Sequence, residues 1–332
     1  MTQPSTGMTQ LPTVRELEAA ARLSLYAPSV FNTQPWRWRV TRQALELRAD
    51  PARQLAITDP DGRLLTLSCG AALHHARVAL AAGGWAVTVE RLPDPADPGL
   101  LARLRATGPE PLDLAAARLM DAIPVRRTDR RAYGDRPVLP EQVARLRAAV
   151  EAQGAYLHVV RPDQMPMLAV SVARAGDAEL ADPAYRAELH HWTHRPESTG
   201  DGVPAATAVR PAPRRVPVRD HAPGGAAGLR AGAGFDRGAA YVILFGERDD
   251  PAGWLRGGEA LSALLLTATA DGLATAPISD TIELTWPRQM MRDLLAGVGE
   301  PYLVVRVGWG PPAGDLPAAP RRRSAEVIEV DE

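Results

Sequence analysis

Apolar residues recur at helical spacing through Val14, Leu17, Ala21 and Leu25, which predicts a helix over 14–26. Pro28 and Pro35 then interrupt the chain; each fixes φ and lacks a backbone donor, so the stretch between them is a turn and not helix interior. Residues 36–40 alternate apolar and charged positions and read as a strand, with 44–48 as its hairpin partner. A long Ala/Leu pattern over 64–82 predicts a helix ended by Gly83-Gly84, and 85–90 is a further strand. After the Pro-rich link 93–98, two short helices are expected, at 100–106 and 112–122. The second half predicts a Pro-started helix at 140–152, a strand at 156–160, and helices at 165–180 and 185–192. The apolar run 239–245 reads as a buried strand, 254–270 as a long helix and 302–307 as a last strand. Residues 193–238 are rich in Gly, Pro and Ala without periodicity, a length that belongs to a lid, a surface insertion or a disordered linker. Residues 1–12 are expected to be frayed.

With 332 residues, 45% hydrophobic and 23% charged, the chain can bury a sizeable core. A net charge of −1 calls for neither nucleic acid nor an anionic membrane as partner. All 38 basic residues are arginine, which removes lysine as a nucleophile or cofactor contact. The single cysteine, Cys69, permits no intrachain disulfide, fits a reducing cytoplasm, and sits in an apolar helical pattern as a small buried residue. The first residues lack a basic start and an apolar stretch, so no signal peptide is expected, and no apolar run is read as long enough to span a bilayer. A cytoplasmic protein is the expectation.

Two clusters carry candidate chemistry. In Ala27-Pro28-Ser29-Val30-Phe31-Asn32-Thr33-Gln34-Pro35-Trp36, four hydrogen-bonding side chains sit on a rigid turn. Such a turn suits the edge of a flat polar heterocycle; its polar groups would equally serve to cap their own backbone. In Arg126-Arg127-Thr128-Asp129-Arg130-Arg131, five of six positions are basic or hydroxyl. Guanidinium forks suit a phosphate, although an isolated run of this kind is also what a solvated surface looks like. His190 and His194 stand four apart on an expected helix, a spacing that can bind zinc, but no Glu follows His190 and no third ligand is specified. Gly232 and Gly234 follow no strand, so a dinucleotide loop is set aside.

The segment 27–36 resembles the APSxxNxQPW signature of the nitroreductase family of FMN oxidoreductases. The resemblance implies that Pro28, Ser29, Asn32 and Gln34 lie against the flavin. The Arg cluster is similar to the family's RRSxR phosphate motif, which implies phosphate roles for Arg126, Arg127, Thr128 and Arg130. The spacing to Tyr133 is one residue longer than the pattern, leaving Arg130 or Arg131 for the last basic position. Residues 272–280 resemble the GLGxxPI segment beside the ring, which implies that Pro277, Ile278, Ser279 and Asp280 line the ring edge. Residues 320–328 resemble the C-terminal KxRxPLEEVV; Arg321 matches the phosphate-contacting Arg, while Ala319 stands at the Lys position. In ordinary members the Arg motif precedes the turn, and here it follows it. That order resembles the Acg-like subgroup. It implies an α+β, nitroreductase-like fold that is an internally duplicated pseudo-dimer, with central antiparallel or mixed sheets flanked by helices. The halves would be 1–122, carrying the turn, and 123–332, carrying the phosphate motif and a lid at 193–238. The resemblance further implies one non-covalent FMN, NADPH or NADH as reductant through flavin N5, nitroaromatic, quinone or similar small-molecule acceptors, and a monomer. No side-chain acid or base is assigned. Two other readings share this site: an FMN-sequestering or stress-related protein whose lid blocks nicotinamide, and a degenerate, empty site.

Overall fold

The computed structural model describes residues 10–331 apart from 224, 226, 313 and 315; most of the expected frayed start lies outside the described residues, as do two positions of the 193–238 segment. The chain runs α1 (Val14–Ser24), β1 (Trp36–Val40), β2 (Leu45–Ala49), α2 (Arg63–Ala82), β3 (Trp85–Arg91), β4 (Leu100–Pro109) and α3 (Leu114–Ala122). It continues through α4 (Pro140–Glu151), β5 (Tyr156–Val159), α5 (Met165–Ala181), α6 (Pro183–Thr193), β6 (Ala240–Gly246) and α7 (Pro251–Ala270). The last elements are β7 (Ala274–Ile278), α8 (Asp280–Glu283), α9 (Thr285–Leu294), β8 (Glu300–Gly308), α10 (Ser324–Val327) and β9 (Ile328–Val330).

These build an α+β fold around two sheets. One has the order β3-β4-β2-β1-β9, antiparallel except for β9, which runs parallel to β1; the other, β5-β6-β8-β7, is antiparallel throughout. The expected helix at 100–106 is instead β4. Its Ala, Leu and Arg residues favour helix, but Ala102 and Leu104 are buried while Arg103 reaches Glu46 of β2 and Glu90 of β3 on the flanking strands. Pairing on both edges overrides an intrinsic preference of this size.

Helix α2 does reach the length and apolarity of a membrane span, contrary to the expectation from sequence, but 83% of that apolar window is buried inside the protein. Its main partner is α7. The two helices share side chains: Leu255 of α7 joins the core around α1, β1 and α2, and Leu64 and Leu67 of α2 join the core around α7, β6 and β8. Two glycines let the backbones touch. A Cβ on Gly70 would stand 2.1 Å from the Leu255 carbonyl oxygen, and one on Gly258 would stand 1.9 Å from that of Leu67. Near the crossing, the Ser262 hydroxyl lies 2.7 Å from His74 Nδ1 and 2.8 Å from His75 Nδ1, and burial keeps both imidazoles neutral by lowering their pKa values. Gly258→Ala should therefore cost about 3 kcal/mol, the upper range of overpacking, because the clash is with backbone that cannot rotate away. The urea midpoint should fall with the slope unchanged; a midpoint within error of wild type would show that the helices can separate freely.

Candidate functional site

The turn after α1 is held in an unusual backbone. Phe31, Asn32 and Gln34 all have positive φ, at 49°, 54° and 50°, which for residues other than glycine costs on the order of 1 kcal/mol or more each. Side chains hold it there. Ser29 Oγ accepts from the Gln34 amide at 2.9 Å. Asn32 Nδ2 donates to the carbonyls of Gly202 and Pro320, both at 3.0 Å, and its Oδ1 accepts from Arg321 at 3.1 Å. Gln34 Nε2 donates to the Gly200 carbonyl at 2.8 Å, and Oε1 accepts from the Arg322 amide at 3.0 Å. The turn thus gathers 200–202 and 320–322 onto itself.

The Arg-rich loop is placed by the second sheet. The Asp129 amide donates to the Thr275 carbonyl of β7 at 2.9 Å, and Thr128 bridges Thr275. From β8, Arg306 donates to the carbonyls of Asp129 and Arg131 at 3.0 and 2.9 Å. Arg306 in turn pairs with Asp236, both atoms of which lie 2.8 Å away, and its guanidinium stacks 3.9 Å from the Tyr133 ring centroid.

Between turn and loop lie two chambers that share part of their lining. Pro28, Ser29, Thr128 and Arg130 line both. The outer chamber, of about 340 Å³, adds Asn32, Arg126, Arg127 and Arg321. The inner chamber, of about 100 Å³, adds Pro277, Ile278, Ser279 and Asp280 from the end of β7 and the start of α8. Of the residues the resemblance implies at the cofactor, Gln34 and Arg131, the alternative to Arg130, line neither chamber, nor do His190 and His194; Gln34 is buried behind the turn, its amide consumed by backbone partners. What the sequence reading missed is the wall supplied by Val216–Arg219 and His221, together with Tyr241 and Arg306. The segment 193–238 has little regular structure but is fastened at several points. Asp201 pairs with Arg53 and Arg195, Arg214 donates to the Arg130 and Ala231 carbonyls, and Arg219 pairs with Glu179, Asp280 and Glu283. His190 and His194 stack with centroids 3.9 Å apart, and His194 Nδ1 is taken by the His190 carbonyl and the Thr193 hydroxyl.

The electrostatics of the chambers are lopsided. Among the described residues, none of Arg126, Arg127, Arg130 and Arg321 forms an ion pair with a carboxylate. Burial, then repulsion from Arg321 and Arg127, lowers Arg126 to about 9; burial, then Arg127, lowers Arg321 to about 10. Burial, then Arg219, lowers Arg130 to about 10. Arg126 Nε and Nη1 and Arg321 Nε are buried with no hydrogen-bond partner among the described residues. Unneutralised buried guanidinium groups with orphaned donors are the complement of a multiply charged, oxygen-rich anion.

The opposite imbalance stands beside the inner chamber. Burial pushes Glu179 and Asp280 above the ordinary carboxylate range, with Glu283 adding to both, against the pull of Arg219. A group with a raised folded pKa contributes stability that is complete below its unfolded value near 4 and fades as pH rises through the folded value. Each proton retained gives a slope of about 1.4 kcal/mol per pH unit over that window. Melting temperature measured against pH should fall on the alkaline side, and Glu179→Gln should flatten the fall; an unchanged slope in the variant would place the retained proton elsewhere.

No family model matches the chain. A Mycobacterium tuberculosis protein named "Putative NAD(P)H nitroreductase Rv3131" is 42% identical over an alignment of 343 positions, covering 99% of this chain and 95% of that protein. The same organism's "Putative NAD(P)H nitroreductase acg" is 36% identical over 317 positions, covering 95% of each. Among solved structures, the FMN- and NADPH-dependent nitroreductase NfnB of a Sphingopyxis strain aligns with 64% of this chain and 99% of its own, at 18% identity and a TM-score of 0.41. A Bacteroides fragilis nitroreductase with bound FMN aligns with 58% and 88%, at 15% identity and a TM-score of 0.33.

Proposed function

The chain belongs to the nitroreductase family of its two mycobacterial relatives, and on that premise we propose that it binds one FMN across its two chambers and reduces small electrophilic molecules with NADPH or NADH. The observation that carries the reading is the cluster of buried, unpaired donors on Arg126 and Arg321. With Arg127 and the Thr128 hydroxyl they would hold the phosphate of the cofactor in the outer chamber. Arg130, which lines both chambers, would lie nearer the ring than the phosphate and place a positive charge where the reduced cofactor carries its negative one. Pro277 to Asp280 would line the ring edge, with Pro28 and Ser29 across from them. Asn32 and Gln34 act on the turn that shapes the site. When bound, FMN supplies hydride acceptance from the nicotinamide and delivery to a nitroaromatic, a quinone or a similar acceptor.

We also propose that the two sheets are the cores of two fused subunit-like halves, 1–122 and 123–332, that the molecule is a monomer, and that 193–238 is a lid. The pairing of α2 with α7 and the passage of β9 into the first sheet support this, since each ties one half to the other. A second reading is favoured by Val216–Arg219 and His221, which wall the inner chamber: the lid would then exclude nicotinamide, and the protein would sequester FMN. An anaerobic absorbance scan separates these. A flavin spectrum bleached by NADPH or NADH supports the reductase. A spectrum bleached only by dithionite supports sequestration, and no FMN uptake on reconstitution overturns both.

A further inference from the structure

Resting on the reading of this site as a hydride-transferring one, we propose that Asp280 is the proton donor to the reduced acceptor, with Glu179 behind it as the group that stores and replaces its proton and Glu283 packed beside both. An acceptor that takes a hydride gains two electrons and one negative charge, and it needs one proton to complete the reduction. Water supplies that proton in an open site; here the segment 216–221 walls the chamber.

One carboxylate oxygen each of Glu179 on α5 and of Asp280 and Glu283 on α8 lies within 4.8 Å of the other two, and the three side chains are buried. One guanidinium, Arg219, pairs with all three, at 3.3 Å from Glu179 and 2.7 Å from Glu283, with Asp280 in direct contact. Arg130 is the second cation acting on Asp280. Three carboxylates pair with one guanidinium, with Arg130 acting on Asp280 only from beyond ion-pair distance, so negative charge is in excess, and in a buried site keeping a proton costs less than keeping the charge. The other titratable neighbours do not supply a third cation. The Tyr185 hydroxyl is buried without a partner, Asp59 adds a further carboxyl beyond Glu283, and His221 is kept neutral by burial and by Arg130 and Arg219. Glu283 Oε1 and Arg219 Nε are also buried without partners, so the network has open hydrogen-bond positions through which a proton can be rearranged.

Of the three carboxyls only Asp280 lines the inner chamber, so it is the catalytic residue and Glu179 and Glu283 are positioning residues. In the step, the proton stored on Glu179 passes to Asp280, whose O–H bond then breaks as an O–H or N–H bond forms on the acceptor. The electron pair comes with the hydride, NAD(P)H being oxidised and the acceptor reduced. The carboxylates left behind face Arg219, and the cluster takes up one proton from solvent between turnovers.

The test compares wild type, Asp280→Asn, Asp280→Glu and Glu179→Gln, each loaded with FMN, in separate half-reactions by stopped flow. Reduction by NADPH, a hydride transfer that needs no proton from the protein, is the reference half-reaction measured on each variant. Reoxidation by a benzoquinone should slow by on the order of 10²-fold in Asp280→Asn, as for loss of a general acid, recover in Asp280→Glu, and lose its alkaline limb earlier in Glu179→Gln. Infrared spectra of the apoprotein at pH 7 should contain a protonated-carboxyl band that Glu179→Gln removes. Asp280→Asn reoxidising at the wild-type rate, or an apoprotein with no protonated carboxyl, overturns the donor role. A wild type that takes up no FMN, or is not reduced by NAD(P)H, overturns the underlying reading and the donor role with it.

Discussion

Arg126→Ala is expected to weaken FMN binding by about 10²- to 10³-fold and, in the same protein, to raise the melting temperature of the apoprotein by a few degrees. The two effects have one cause. Arg126 is buried, and among the described residues its Nε and Nη1 have no partner. The side-chain hydrogen bond it does make, to the Tyr26 carbonyl, is long at 3.4 Å. Burial, Arg321 and Arg127 hold its pKa down at about 9. At about 1.36 kcal/mol per unit, that depression corresponds to a penalty of up to about 5 kcal/mol for keeping the charge at neutral pH without an anion. The sign follows from linkage: a base with a depressed folded value destabilises the fold below that value, and the loss disappears as pH rises past it. A phosphate reverses the balance by filling the orphaned donors, and losing one buried charge-assisted contact costs about 2–5 kcal/mol of affinity. Titration followed by flavin fluorescence and calorimetry of the apoprotein read the two effects separately. An Arg126→Ala protein that binds FMN as tightly as wild type would remove the phosphate assignment.

Asp236→Asn is expected to destabilise the protein by about 3–5 kcal/mol and to loosen FMN binding as a consequence. Asp236 and Arg306 are both essentially inaccessible to solvent, so the variant strands a buried guanidinium. For an isolated buried pair, replacement of both partners by apolar residues would recover the loss. Here it should not. Arg306 also donates to the Asp129 and Arg131 carbonyls, and Asp236 accepts from the Tyr133 amide at 2.7 Å, so Asp236→Leu with Arg306→Met takes a hydrogen bond from each of three backbone groups, of which the Asp129 carbonyl keeps the Tyr133 hydroxyl. These groups belong to the loop that carries Arg126 to Arg131. Urea denaturation of the single and double variants decides the matter; full recovery in the double variant would show the pair to be independent of the loop.

The parts of the site legible in the sequence are those written in contiguous residues. The turn from Pro28 to Gln34, the run from Arg126 to Arg130 and the stretch from Pro277 to Asp280 each bring their own backbone constraint, and the structure gathers them around the same two chambers. The strands 36–40 and 85–91 and the helices 63–82 and 251–270 were readable because period 2 and period 3.6 differ plainly there. The 100–109 strand was not, because Ala, Leu and Arg carry helix propensity and only pairing with β2 and β3 decides otherwise. Arg219 was invisible for a different reason. It stands in a segment without periodicity, and its meaning comes from Glu179 and Glu283, which lie 40 residues before it and 64 after it. Three-residue β9 is too short to announce itself at all.

The placement of Arg321 and β9 also bears on the order of events during synthesis. On a ribosome the turn, Arg126 and Arg130 all emerge well before residue 321, so a nascent chain holds both sheets' long strands while Arg321, which lines the outer chamber, and the edge strand beside β1 are still missing. Docking of 320–330 onto the turn would then be the closing event of folding. The contacts it forms, from Asn32 and Gln34 to residues nearly 290 positions away, have a high loop-closure cost and belong to the slow, late class. A cofactor captured with full affinity would mark a molecule whose translation has passed this point, and partially made chains would be left without one.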